Sequence, residues 1–112
     1  MRHVWILVEL VACLSSGCLT IEEMAPVVDR EMRFVEGGDQ GRALLEKGRA
    51  IYLSDCTRCH SVERVNRYSL DRWTTILERM GKKSKLDESD QQALEAYIRT
   101  AHYVLTAQAK KE

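Results

Sequence analysis

Between residues 42 and 111, apolar side chains recur every three or four positions, which is the spacing of one buried face on an α-helix. Three such stripes follow one another along the chain. They comprise Leu44, Leu45, Gly48, Ile51 and Tyr52 in the first, Leu70, Trp73, Ile76, Leu77 and Met80 in the second, and Leu94, Tyr97, Ile98, Ala101, Val104 and Leu105 in the third. No segment alternates apolar and polar residues as a strand would. The pattern predicts an all-α domain with three main helices and irregular structure over residues 55–68.

Polar residues and glycines mark the expected helix ends. The first helix should run from about Arg42 to about Ser54. Ser69 suits the N-cap of the second helix, and Gly81 is expected to end that helix in the left-handed conformation. Asp87 suits the N-cap of the third helix, whose first turn is acidic and whose last turn carries two lysines. These signals indicate three separate helices.

The other apolar run of the chain lies at its N-terminus. A basic start precedes residues 4–14, which are apolar except for Glu9, and small residues then lead to Cys18. This order is typical of a secretory signal, and a cysteine after small residues resembles a bacterial lipoprotein signal. We therefore predict a signal peptide over residues 1–17 and a lipid on Cys18. Lipidation of Cys13, and an ordinary export signal, are the alternatives.

Residues 18–41 show no clean period. Pro26 interrupts any helix, and Gly37-Gly38-Asp39 is a loop signal. We predict that this segment is a flexible tether between the lipid and a folded domain that comprises residues 42–112. A short extended or helical piece over residues 26–35 that packs on the domain is also compatible with the pattern.

Composition narrows the function. The chain has 112 residues, which is enough for one domain. Its 17 basic and 17 acidic residues balance. That balance argues against a nucleic-acid binder, because such proteins need an excess of cations to neutralise phosphates. If residues 1–17 are removed as a signal peptide, the domain that remains is small and has a small core. Domains of that size often need a cofactor, a metal or a disulfide for stability.

The segment Cys56-Thr57-Arg58-Cys59-His60 carries the strongest chemical signal. C-x-x-C-H is the spacing of a covalent haem attachment site. Two thiols three residues apart can each form a thioether with one of the two haem vinyl groups, and the next residue places an imidazole under the iron. That imidazole must be neutral, and its second nitrogen should donate to a carbonyl group. The motif predicts haem c, attached through Cys56 and Cys59, with His60 as an iron ligand.

Three other uses of the two cysteines are weaker. A zinc site needs two more ligands, and His102 is the one other histidine that follows the signal peptide. A thioredoxin-like site requires an α/β fold, whereas the sequence pattern contains no strand. A disulfide across so short a loop stabilises little. The export signal also favours haem, because covalent attachment of haem takes place outside the cytoplasm.

The residues around the motif resemble a known family. Residues 48–60 are similar to the N-terminal helix and haem motif of class I c-type cytochromes, and residues 73–80 and 86–98 resemble the short monohaem type. That type also occurs as the haem domains of quinohaemoprotein amine dehydrogenases, with a Trp, an Arg-Met pair and an acid-capped helix. The resemblance covers about residues 41–100. It implies a small three-helix cytochrome c-like domain wrapped around one covalently bound haem.

Gly48 stands in the middle of the first apolar stripe. A glycine in a helix interior is about 1 kcal/mol less favourable than an alanine, so its presence calls for a packing reason. The close approach of another helix would supply one. By the resemblance to the cytochromes, the helices that hold Gly48 and Tyr97 cross each other.

An electron carrier needs a second iron ligand opposite His60. Met80 lies on the apolar face of its helix and matches the Arg-Met ligand position of the family, although core packing is the commoner role of such a methionine. Met24 and Met32 lie in the tether and are poorer candidates. His102 is expected at the boundary of the last stripe, and it is the alternative ligand if Met80 does not bind.

Further side chains near the motif are expected to contact the haem. Trp73 and Tyr68 would pack on the macrocycle, with the indole N–H or the phenol O–H reaching a propionate. Arg67 or Arg64 would pair with a propionate, or both are simply solvated. A basic cluster beside Met80 would steer an acidic partner, or it is a solvated helix end. The cluster comprises Arg79, Lys82, Lys83 and Lys85.

These observations lead to one main hypothesis. The sequence predicts a lipid-anchored monohaem c-type cytochrome on the periplasmic side of a bacterial membrane, which carries single electrons between redox partner proteins and binds no nucleic acid. It contains no visible catalytic dyad or triad, so we do not expect an enzyme that acts alone. An electron-transfer subunit of a redox complex fits equally well. The alternatives are a five-coordinate haem protein that binds a gas or peroxide, and a non-haem thiol or metal-binding protein.

Overall fold

The computed structural model describes residues 20–29, 32, 38–56 and 62–111. Within these ranges, a short helix is followed by three long amphipathic helices. Helix α1 spans Ile21–Met24, α2 spans Gly38–Ser54, α3 spans Leu70–Lys83 and α4 spans Glu88–Lys111. A 3₁₀ turn, Val65–Arg67, lies between α2 and α3. These ranges contain no strand. They form a small all-α domain, as the apolar spacing predicts.

Side-chain caps fix the starts of the last two helices. The hydroxyl of Ser69 accepts a hydrogen bond from the backbone N–H of Arg72 at 3.3 Å. A carboxylate oxygen of Asp87 accepts one from the N–H of Asp90 at 2.8 Å. Each bond satisfies a backbone donor that has no partner within its helix, so both predicted N-caps are confirmed.

The first long helix begins earlier than the sequence predicts. Helix α2 starts at Gly38, before the expected start at residue 42, and ends at Ser54 as expected. The glycine-rich loop signal is therefore wrong for Gly38 and the residues after it. Intrinsic preferences are weak compared with tertiary packing, and here the helix continues backwards from the turn that buries Leu45.

The end of α3 also differs from the prediction. The helix passes through Gly81 and ends at Lys83, and the left-handed residue is Lys85, with a φ of 54°. The N–H of Leu86 donates to the carbonyl of Gly81 at 3.1 Å, and that of Lys85 donates to Lys82 at 3.3 Å. This pair of bonds is a Schellman motif. Gly81 serves a different purpose from the one expected.

Gly81 is buried where α3 meets the start of α4. A Cβ at Gly81 would overlap the side-chain amide of Gln91, with 2.9 Å to its Cδ. The same amide donates from its nitrogen to the carbonyl of Leu77 at 3.1 Å. The missing side chain therefore makes room for a polar contact between two helices, and the left-handed conformation is not needed at this position.

The apolar stripes supply the core. All six stripe residues of α4 are buried, and so are Leu45, Ile51 and Tyr52 of α2 and Trp73 and Leu77 of α3. Leu44 and Leu70, the first residues of their stripes, are each more than a third exposed, and Ile76 and Met80 are half-buried. The predicted helical faces are thus confirmed apart from these four residues.

Helices α2 and α4 form the most extensive contact between the described elements, and Gly48 lies within it. A Cβ on Gly48 would overlap the carbonyl oxygen of Ala93 and lie 2.6 Å from the Cβ of Tyr97. The backbones are too close for any side chain larger than hydrogen. The close helix approach expected at Gly48 is confirmed.

Part of the segment predicted as a tether packs on this helix pair. Ala25 and Met32 are fully buried. The hydroxyl of Tyr97 donates to the carbonyl of Pro26 at 2.8 Å, and the guanidinium of Arg49 donates to the carbonyl of Ala25 at 3.1 Å. These contacts agree with the alternative to a tether over all of residues 18–41, in which a piece over residues 26–35 packs on the domain.

The predicted export and anchoring features cannot be placed in the fold. Residues 1–17, with Cys13, and the lipidation candidate Cys18 lie outside the described residues. Among the helices of the described ranges, none has the length and apolar content needed to cross a membrane.

Candidate cofactor cleft

A cleft of about 210 Å³ opens between the end of α2, the segment 62–68 and one face of α3. We call it the α3 cleft. It is lined by Tyr52, Cys56, Glu63, Tyr68, Arg72, Trp73, Ile76, Leu77, Arg79 and Met80. Most of this lining is aromatic or aliphatic, with charged groups contributed by three residues.

Four of the residues predicted from sequence as cofactor contacts line the α3 cleft together. They are Cys56, Tyr68, Trp73 and Met80. Cys59 and His60 lie outside the described residues, and both thioethers and the proximal iron ligand stay predictions. Cys56 is the first residue of the C-x-x-C-H motif, and its presence in the cleft brings that motif and Met80 to the same site.

Helical spacing explains how α3 presents its share of the cleft. One face of α3 has the i, i+3, i+4, i+7 spacing, and it carries Trp73, Ile76, Leu77 and Met80. Trp73 and Leu77 are buried, with about 4% of each side chain exposed, whereas Ile76 and Met80 are half-buried. One part of this helix face therefore lies in the core, and the other part, with Met80, forms a wall of the cleft.

Trp73 is fixed by the protein itself. Its indole N–H donates to the backbone carbonyl of Val65 at 2.6 Å. Its ring meets those of Tyr52 and Tyr68 edge to face, with centroid distances of 6.0 Å and 5.6 Å. The expectation that this N–H reaches a propionate is therefore wrong, because a buried carbonyl already uses the donor. The ring itself still forms part of the cleft wall.

Three side chains with aromatic rings donate hydrogen bonds to the segment between the C-x-x-C-H motif and α3. Besides the indole of Trp73, the hydroxyl of Tyr52 donates to the carbonyl of Glu63. Burial raises the pKa of Tyr52, so this hydroxyl keeps its proton. Nε2 of His102 lies 2.9 Å from the carbonyl of Tyr68, and it must carry the hydrogen because a carbonyl only accepts. The three donors come from three different helices.

The alternative iron ligands do not reach the cleft. His102 is half-buried at the edge of α4, as expected, and its Nε2 is engaged with Tyr68. Met32 is fully buried elsewhere, and Met24 lies at the end of α1. Of the methionines and histidines in the described ranges, Met80 alone lines the α3 cleft.

The Cys56 thiol is half-buried and free. Burial, together with a smaller effect of the neighbouring Asp55 carboxylate, raises its pKa to about 11. A thiol that attacks disulfides needs the opposite shift, since the thiolate is the nucleophile. This environment suits a cysteine that is buried against an apolar partner better than it suits a redox-active thiol.

The charged residues of the site fall into two groups. Arg67 pairs with Glu63 at 2.7 Å, and this hydrogen bond holds the pKa of its guanidinium above the usual value. Arg64 is exposed and does not line the cleft. Arg72 and Arg79 do line it. Arg67 and Arg64 are both exposed and do not line the cleft, which agrees with the alternative that both are solvated.

Beside the cleft, the predicted basic cluster is mostly solvated. Lys82 pairs with Glu78 at 3.3 Å, with both side chains at least 70% exposed, so the pair contributes little to stability. Lys83 and Lys85 are exposed. Arg79 is the one member of the cluster that faces the cleft.

Sequence reasoning did not identify Tyr52, Glu63 and Arg72 as parts of the site, and it placed Arg79 beside Met80 only as a member of the basic cluster. The sequence positions of some of these residues could have indicated their place in the site. Tyr52 precedes Cys56 by one helical turn, and Arg72 and Arg79 are seven residues apart on α3, which places them on nearly the same side of that helix. The position of Glu63 gave no such indication, because the sequence around it has no helical or strand periodicity.

Comparisons with known proteins identified no matching family model, no similar curated protein and no similar solved structure. The functional argument therefore depends on the chain's own residues.

Proposed function

We propose that this protein is a monohaem c-type cytochrome that carries single electrons, anchored by a lipid to the periplasmic side of a bacterial membrane. One observation carries the proposal. Cys56, which begins the C-x-x-C-H sequence, shares the α3 cleft with Met80 and with the rings of Trp73 and Tyr68. An attachment cysteine, an iron-binding thioether and aromatic walls are the groups that a covalently bound haem requires.

The composition of the cleft fits haem. The macrocycle is apolar and carries two carboxylates, and the cleft offers apolar and aromatic walls together with two guanidinium groups, those of Arg72 and Arg79. Its volume of about 210 Å³ is below the roughly 300–1,000 Å³ of typical ligand pockets. The described residues would therefore cover only part of the haem.

Each residue has a distinct proposed role. Cys56 and Cys59 would attach the haem through thioethers, and His60 and Met80 would bind its iron. When bound, the haem iron supplies the one-electron change between Fe(III) and Fe(II). A methionine ligand and burial both favour the reduced state. The protein's own work is to hold these ligands in place, which the ring donors of Tyr52 and Trp73 do by fixing the segment after the motif.

Partners and location follow from the same proposal. The donor and acceptor would be redox proteins that approach the exposed haem edge, and the protein could serve as a free carrier or as a subunit of a redox complex. The lipid on Cys18 would keep it near membrane-bound partners. With 17 basic and 17 acidic residues, the chain has no net charge to attract nucleic acid.

The test is the pyridine haemochrome spectrum of the full chain, expressed with its own N-terminus in a bacterium that attaches haem c. The expected spectrum is that of haem with two thioethers, and Cys56→Ser should shift it to that of haem with one. Alkylation of the denatured protein should leave Cys56 and Cys59 unmodified, because thioether sulfurs do not react as thiols. A protein without haem, with both cysteines alkylated, would support the non-haem alternative.

The absorption spectrum separates the carrier from a gas or peroxide binder. Six-coordinate iron with methionine as a ligand is low-spin and shows a Met-to-iron charge-transfer band. High-spin iron that binds carbon monoxide rapidly would instead support the five-coordinate alternative. This measurement needs no substitution and uses the protein as purified.

A further inference from the structure

We propose that Arg72 and Arg79 bind the two haem carboxylates in the α3 cleft. This inference rests on the proposed haem function and adds the residues that orient the cofactor. Both arginines line the cleft. No carboxylate among the described residues forms an ion pair with either of them. The cleft therefore presents two cations beside an apolar wall, and this arrangement matches a ligand with an apolar body and two acidic groups.

The helix sets the spacing of the pair. Residues seven apart on an α-helix lie on nearly the same side, about 10 Å apart along the axis. Arg72 and Arg79 flank the face that carries Trp73, Ile76 and Met80 towards the cleft. Since each arginine side chain is long and flexible, two guanidinium groups in these positions can converge on one edge of a flat ligand, and each can form a bidentate bond with a carboxylate.

The surroundings of Arg72 orient it for this role. Its guanidinium lies over the ring of Tyr68, 5.0 Å from the ring centroid. Tyr68 in turn meets Trp73 edge to face at 5.6 Å, and its backbone carbonyl is bound to His102. A planar cation stacked on a fixed ring loses little further freedom when it binds a carboxylate. Arg72 is thus held at the cleft without using its hydrogen-bond donors on a counter-ion.

The other arginine near Tyr68 is excluded by its pairing. Arg67 also approaches the Tyr68 ring, with 5.6 Å to the centroid, but its guanidinium is bound to Glu63 at 2.7 Å. Glu63 lines the cleft, and this pairing neutralises the carboxylate that would otherwise repel an acidic ligand. The Arg67–Glu63 pair therefore leaves the two positive charges of Arg72 and Arg79 uncompensated in the cleft.

The experiment compares haem-loaded full-length proteins that carry Arg72→Gln, Arg79→Gln or both, with Arg64→Gln as the matched control, because Arg64 is exposed and does not line the cleft. The readouts are the reduction potential and the propionate vibrations in the resonance Raman spectrum. Loss of a nearby cation favours Fe(III), so each glutamine variant should lower the potential. The expected change is on the order of tenfold in the redox equilibrium constant, or about 59 mV for one electron.

Conservative variants separate charge from packing. Arg72→Lys and Arg79→Lys keep the charge and should restore most of the potential, while the propionate vibrations should stay shifted because lysine forms no bidentate bond. Normal haem content with an unchanged potential and unchanged propionate vibrations in the double glutamine variant would overturn the inference and leave the proposed function intact. An effect confined to Arg64→Gln would also overturn it. Absence of haem from the wild-type protein would overturn both proposals.

Discussion

Gly48→Ala is a substitution for which helix propensity and tertiary structure predict opposite signs. In an isolated helix, alanine at this position would be more stable than glycine by about 1 kcal/mol. In the folded protein, the added Cβ would overlap the carbonyl oxygen of Ala93 and lie 2.6 Å from the Cβ of Tyr97. Carbon atoms pack best at about 3.5–4.0 Å, so the two helices would have to separate by about 1 Å.

The magnitude follows from what blocks the new methyl group. Both obstacles belong to the backbone of α4 or to its first side-chain atom, so no change of rotamer relieves them. Overpacking of a core typically makes a protein about 1–3 kcal/mol less stable, and a backbone obstacle places this case at the upper end. Subtracting about 1 kcal/mol of helix propensity leaves a net loss of about 2 kcal/mol. In a domain of this size, that lowers Tm by about 8–16 °C.

The measurement is thermal unfolding of the mature protein by far-ultraviolet circular dichroism, with wild type and variant loaded equally with cofactor. Ala50→Gly is the matched control, because Ala50 is exposed on the same helix and should lose only about 1 kcal/mol through propensity. A Gly48→Ala protein that melts at or above the wild-type temperature would contradict the close packing of α2 against α4.

Three further predictions, two of them with a control variant, test the site and the anchor. Met80→Ala should abolish the Met-to-iron band and lower the potential, because a thioether favours Fe(II). Leu77→Ala should leave the spectrum unchanged but lose about 2–5 kcal/mol in chemical denaturation through a cavity; if both variants keep the band, Met80 is a packing residue. Trp73→Phe should make the protein about 1–3 kcal/mol less stable, because a buried carbonyl loses its donor, and an unchanged denaturation midpoint would contradict that bond. Cys18→Ser should move the protein from the membrane to the soluble periplasmic fraction with haem intact; the same result from Cys13→Ser alone would assign the lipid to Cys13.

The elements that the sequence predicts well are those with several independent signals. Helix α4 has an apolar stripe that continues over several turns and an acidic N-cap, and both the buried face and the Asp87 cap are confirmed. The meeting of Cys56, Trp73 and Met80 in one cleft also agrees with the sequence. Helical spacing puts the last two on one face, and the motif places Cys56 just after the preceding helix.

The differences arise where one residue type serves two purposes. Glycine permits a left-handed turn and also permits close contact, and the pattern alone does not distinguish them. At Gly81 the contact with Gln91 decides, and Lys85 adopts the left-handed turn instead. A tryptophan N–H likewise suits a propionate or a backbone carbonyl, and at Trp73 the carbonyl of Val65 uses it. Such choices depend on contacts between residues that are distant in sequence.

The packing of α2 on α4 and the shape of the α3 cleft are coupled through one side chain. Tyr52 lies one helical turn after Gly48, and its ring is 6.4 Å from that of Tyr97 on α4 and 6.0 Å from that of Trp73 in the cleft wall. If α2 moves away from α4, Tyr52 cannot keep both contacts at these distances. Gly48→Ala should therefore shift the haem spectrum or the reduction potential as well as Tm. Ala50→Gly should lower Tm alone, because its loss is one of helix propensity and moves no helix. Equal spectra and potentials for the two variants would show that the cleft is fixed independently of the α2–α4 contact, through the bonds that hold the segment between the motif and α3.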